Sequence, residues 1–153
     1  MPTFKFRLQP VLSWRERIEQ QKQTAMAAAM RSLGGAKQRL AELEFSYVTE
    51  AETLRRGHSK FDVDALRHHY AHLEYLTREI KDQQVRVAAC EAEVEQARHI
   101  LITASRDRKV IERLKVRKRE AYNADLAAGE QKEADDGNAR RYSRRPPSLG
   151  SSL

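Results

Sequence analysis

Apolar residues recur along this chain at alternating three- and four-residue steps, in two long runs separated by one short break at residues 57–62. The first run passes through Leu8, Val11, Arg15, Ile18, Lys22, Ala25, Ala29, Leu33, Ala36, Leu40, Leu43, Tyr47, Ala51 and Leu54. The second passes through Leu66, Tyr70, Leu73, Leu76, Ile80, Gln84, Val87, Cys90, Val94, Ala97, Leu101, Ala104, Arg108 and Ile111. Steps of three and four average about 3.5, the a/d repeat of a coiled coil, and here they persist far beyond the few heptads needed to identify one. Arg15, Lys22, Gln84 and Arg108 are the polar exceptions in the seam. Two such runs with a short connection predict an all-α fold, a long antiparallel two-helix coiled-coil hairpin.

Local signals place the ends. Phe4, Phe6 and Leu8 alternate with polar residues, so residues 1–9 predict an extended lead-in whose two phenylalanines pack on the end of the second helix. Pro10 suits the first turn of helix one, where its missing N–H is no loss. Helix one is expected from about Pro10 to Arg56, roughly 70 Å at the α-helical rise. Gly34 and Gly35 together cost about 2 kcal/mol of helix propensity, and the seam beside them takes two four-residue steps. A local unwinding or bend is expected there.

Gly57 is placed to cap the end of helix one, Asp62 to cap the start of helix two, and Phe61 with Leu66 to form a hydrophobic staple. Helix two is expected from about Val63 to Ala128, leaving the turns around Tyr122 and Leu126 without a partner in the chain. From Gly129 the apolar period is lost, and residues 129–153 predict a disordered basic tail. The expected organisation is therefore a hairpin over 1–128 and a tail over 129–153.

Composition agrees with a structure whose core is a line. Of 153 residues, 40% are hydrophobic and 33% charged, which suits a surface-rich helical protein. The net charge of +7 admits nucleic acid, an anionic membrane surface or an acidic protein as partner. Its distribution narrows this. Arg106, Arg108, Lys109, Arg113, Lys115, Arg117, Lys118 and Arg119 are opposed only by Asp107, Glu112 and Glu120, and Arg140, Arg141, Arg144 and Arg145 form a second cluster. The sole cysteine, Cys90, allows no internal disulfide and falls on the seam, which points to a reducing compartment and a core role. No stretch resembles a signal peptide or a bilayer span, so a cytosolic protein is expected.

Candidates for chemistry are few. His68 and His72 share a helix face at i, i+4, with Asp64 a turn earlier and His69 between them. Three ligands along one straight helix converge poorly on one ion, and the zincin glutamate is absent, so no metal site is assigned. There is no glycine-rich phosphate loop, and no Ser, Cys or Thr has a base and an orienting acid in a pocket. No catalytic residue, cofactor or enzyme activity is expected. The basic stretch 106–119 could meet an acidic collar through charge-assisted hydrogen bonds. Nucleic acid is the weaker partner, because aromatic residues do not interleave the charges and no sequence-reading fold is indicated.

Three features resemble the flagellar export protein FliJ family, over about Thr3 to Tyr122. They are the opening Phe4-Lys-Phe6-Arg-Leu8-Gln-Pro-Val11-Leu12 followed by Arg15-Glu16, the short-looped hairpin of this length, and the ending Arg106-Asp-Arg-Lys109-Val-Ile-Glu112-Arg-Leu114-Lys115. The resemblance implies a coiled-coil stalk that inserts into the hexamer of a type III export ATPase, promotes its assembly and activity, and links it to the membrane export gate and export chaperones. It implies a cytoplasmic protein held peripherally at the inner membrane, at the flagellar base. The ATPase-ring contact would be Leu8, Arg15, Arg106, Lys109, Glu112 and Lys115. The export-gate contact would be Leu43, Tyr47, Tyr70, Leu73 and Leu76. The Gly34-Gly35 pair and the arginine-rich tail are not expected of the family. A basic nucleic-acid-binding coiled coil and a scaffold that weakly self-associates through its overhangs remain as alternatives, as does the equivalent stalk of a virulence secretion system.

Overall fold

The computed structural model describes residues 3–144. It contains two helices, α1 (Gln9–Gly57) and α2 (Val63–Ser143), and no strand among the described residues. Contacts divide the chain into a terminal unit, residues 1–14 with 108–153, and a longer unit, residues 15–107.

In the longer unit the two helices pack antiparallel. The Arg15 guanidinium donates to Asp107 at 3.1 Å, Gln83 donates to the Ala36 carbonyl at 3.0 Å, and His69 pairs with Glu50. As α1 advances, its partners on α2 step backwards. The core is a row of side chains: Ala36, Leu43, Leu54, Leu76, Val94 and Ala104 are buried. Even these keep a few per cent of their surface, and no large side chain is fully enclosed among the described residues. Two helices alone cover only one stripe of each other.

The seam departs from the sequence pattern at particular positions. Met26 is half-buried where Ala25 is exposed, Gln83 is half-buried where Gln84 is exposed, and Glu50 is half-buried while Tyr47 is exposed. In the terminal unit Leu12 is buried and Val11 is exposed. These departures are local: Ala29, Leu33, Ala36 and Leu40 after Ala25, Leu54 after Tyr47, and Val87, Cys90 and Val94 after Gln84 are buried or half-buried as the pattern expects.

The connection follows the expected chemistry at Asp62. Its carboxylate accepts from the Ala65 N–H at 2.7 Å, and its carbonyl accepts from the Leu66 N–H at 3.0 Å. Gly57 acts differently from a left-handed cap, because no glycine among the described residues has positive φ. A Cβ at Gly57 would stand 2.6 Å from the Phe61 ring. The missing side chain makes room for Phe61, whose ring lies 4.7 Å from that of His69.

Two expectations are corrected. The Gly34-Gly35 pair does not unwind α1, which is helical throughout. Flanking Ala, Leu, Gln, Lys and Arg are good helix formers, and helical packing outweighs two glycines. Likewise α2 does not end at Ala128 but runs through Gly129 and Gly137 to Ser143. Each added residue contributes a backbone hydrogen bond, and the first proline beyond is Pro146. Residues 123–144 are exposed without exception. The remainder of the expected tail, 145–153, lies outside the described residues.

Candidate functional site

The terminal unit is built by the lead-in returning along α2. Residues 3–6 are not helical, and the turn into α1 is closed by the Gln9 N–H donating to the Phe6 carbonyl at 3.0 Å. A non-helical residue can advance about 3.3 Å against 1.5 Å in a helix, so the lead-in reaches further than helical pairing suggests. Phe4 therefore meets Tyr122, with ring centroids 5.6 Å apart. Tyr122 thus has an intrachain partner, contrary to expectation, whereas Leu126 keeps 38% of its surface exposed. The Arg119 guanidinium lies 5.7 Å from the Phe4 ring centroid, a cation–π distance. Phe4, Phe6, Leu8, Leu114 and Tyr122 line an open groove rimmed by Lys5, Arg7, Lys118 and Asp125. The alternation of Phe4, Phe6 and Leu8 signalled the docking but not the groove.

Four of the six ring-facing candidates belong to this unit. Leu8 is exposed, at 38% of its surface. Lys109 is exposed. Glu112 is exposed and accepts from Arg108 at 2.5 Å, an i, i+4 pair. Lys115 is half-buried and donates to Gln9 Oε1 at 2.7 Å, tying α2 to the start of α1. Around them Arg113, Arg117, Lys118 and Arg119 are exposed. Such a face offers several cationic donors to carboxylates and lacks an enclosed pocket for a small molecule.

The other two ring-facing candidates belong to the longer unit. Arg15 is bridged to Asp107 at 3.1 Å, and Arg106 is exposed. The gate-facing set divides by burial. Leu43 and Leu76 are each only 4% exposed, while Tyr47 and Tyr70 expose 37% and 51%. Tyr47, Tyr70 and half-buried Leu73 line an open groove with Glu74, Thr77 and Arg78.

Two of the histidines, His69 and His72, make structural contacts near the connection. His69 pairs with Glu50 and packs on Phe61, and the His72 ring stacks 6.3 Å from Tyr75. Among the described residues no group of three or more His, Cys, Asp or Glu is placed to hold a metal ion. Cys90 is a free, half-buried thiol. No helix among the described residues is long and apolar enough to cross a membrane.

Comparison with known proteins adds a family and a fold. A family model described as flagellar FliJ protein matches residues 4–147. No curated protein matches the chain. Among solved structures, the YscO homolog CT670 from Chlamydia trachomatis is similar at 17% identity and a TM-score of 0.53, covering 92% of this chain and 96% of that one. At that identity the likeness concerns the fold.

Proposed function

Because this chain belongs to the FliJ family of flagellar proteins, components of type III protein export, we propose that it is the coiled-coil stalk of the export ATPase. In this reading the terminal unit enters the ATPase hexamer and promotes its assembly and activity. Leu8, Lys109, Glu112 and Lys115 meet the ring there, and Arg15 and Arg106 add contacts from the longer unit. The tyrosines Tyr47 and Tyr70, with Leu73, contact the cytoplasmic domain of the export gate. Leu43 and Leu76 hold the helices beneath them. Export chaperones are further partners, and the site of action is the cytoplasmic side of the inner membrane at the flagellar base.

The observation that carries the reading is the exposed cationic face of the terminal unit. Lys109, Arg113, Arg117, Lys118 and Arg119 are all exposed, and only Glu112 and Glu120 oppose them between residues 109 and 120. A desolvated acidic collar would find several donors at once, and a channel that accepts only a slender helical end would supply orientation.

The test is ATP hydrolysis by the cognate export ATPase, with and without this protein, alongside the hexamer population. Near-stoichiometric protein should raise both. Charge reversal at Arg106, Lys109 and Lys115 should weaken that stimulation while far-ultraviolet circular dichroism stays unchanged. Stimulation that survives all three reversals would remove Arg106, Lys109 and Lys115 from the ring contact.

A further inference from the structure

Beyond Tyr122, α2 continues as helix to Ser143 with every residue exposed, so this part of the chain leaves a long face uncovered. Its charges are sorted by position. Between residues 109 and 120, Lys109, Arg113, Lys115, Arg117, Lys118 and Arg119 outnumber Glu112 and Glu120; between 125 and 136, Asp125, Glu130, Glu133, Asp135 and Asp136 outnumber Lys132. A basic block is followed directly by an acidic block on the same uninterrupted helix.

The two blocks share one face. Lys109, Arg113, Val116, Glu120, Asn123, Ala127, Glu130 and Ala134 succeed one another at alternating four- and three-residue steps, and all are exposed. That spacing places the eight residues on one exposed stripe of α2. Lys109, Arg113, Glu130 and Glu133 make no hydrogen bond, ion pair or ring contact among the described residues.

We infer that this face is an interface between two copies of the chain, joined by antiparallel pairing of the distal halves of their α2 helices. With the two-fold axis between Ala121 and Tyr122, Arg113 of one copy faces Glu130 of the other. Val116 faces Ala127, Glu120 faces Asn123, and Lys109 comes beside Glu133. The symmetry makes every pairing occur twice. A partner of one sign lying along both blocks would be repelled by one of them, whereas a second copy turned end for end complements both. Val116 and Ala127 are the only apolar pair, so association is weak and salt-sensitive, as exposed ion pairs are.

The experiment is sedimentation equilibrium of the full chain over a micromolar-to-millimolar series, at low and at high salt. The mean mass should rise toward twice the monomer at low salt and fall back at high salt. Two variants sharpen it: K109E/R113E puts carboxylates at both members of each charged pair, and E130R/E133K puts cations at both. Each alone should remain monomeric with unchanged helicity. An equimolar mixture should form a one-to-one heterodimer, and all four changes in one chain should restore the homodimer. A wild-type mass that stays monomeric at low salt overturns the inference. So does association that persists in both variants, or a mixture that fails to pair. The measurement needs no ATPase, so its outcome is independent of the stalk reading.

Discussion

Leu43 and Tyr47 stand one turn apart on α1 and do different things. Leu43 is 4% exposed and Tyr47 is 37% exposed. Truncating a buried leucine removes its transfer energy and leaves a cavity, costing about 2–4 kcal/mol. Leu43→Ala should therefore lower the thermal midpoint markedly, and any loss of gate binding in that variant would follow from lost structure. Tyr47→Ala should leave the midpoint nearly unchanged and reduce binding of the gate's cytoplasmic domain in a pull-down. Gate binding by Tyr47→Ala equal to wild type would move the contact elsewhere on the hairpin. The same separation applies between Leu76, which is buried, and Tyr70, which is not. Sequence spacing put all four on one seam because a heptad pattern records periodicity, whereas burial depends on what the facing helix covers at each position. Arg15 shows the opposite case: a polar seam position proved usable because Asp107 lies 3.1 Å away on the facing helix.

At the scale of elements, the helices and the connection were legible because their signals are local and redundant. Asp62 caps α2, no proline interrupts either helix after the first turn, and the apolar period persists for many turns. The misread end of α2 lies where the apolar period fails, and the misread interruption of α1 lies at a glycine pair. Gly34, Gly35, Gly129 and Gly137 are all helical, and at each of these four an added Cβ would meet nothing within 4 Å. Glycine lowers helix propensity without forbidding the helix, and without a left-handed turn or a proline it marks no end. The cost remains. Gly34→Ala with Gly35→Ala should stabilise the protein by about 1 kcal/mol per site, read as a raised denaturation midpoint. Stimulation of the ATPase should persist in the double variant. A more stable protein that no longer stimulates would assign these glycines to a bend that α1 adopts on the ring. The Phe4–Tyr122 contact was only half legible, since the phenylalanine alternation announced docking but the reach of a non-helical lead-in decided its partner.

The whole molecule has a thin core unevenly distributed. Ala36, Leu43, Leu54, Leu76, Val94 and Ala104 serve the longer unit, and in the terminal unit Leu12 is the buried apolar residue among those described. No sequence rule announced this division, because both units share the same two helices and the same heptad pattern. Stability follows local burial, so opening free energies differ along the chain. Residues 123–144 are all exposed, and their hydrogen bonds, those from Gln131 to Asp135 and from Ser143 to the Arg140 carbonyl included, stay within the helix, while an isolated helix of this length is marginal in water. Amide hydrogen exchange at dilute, monomeric concentration should therefore be fast across 123–144, slow around Leu43 and Leu76, and intermediate near Leu12. At high concentration and low salt, residues 123–134 should gain protection while the longer unit does not change, because pairing between copies removes the fraying of that segment alone. A chain ending at Tyr122 should keep the midpoint of the longer unit and lose the concentration dependence altogether. If 123–144 is already as protected as Leu76 in the dilute monomer, the segment has a partner within its own chain, and its face is not open to a second copy.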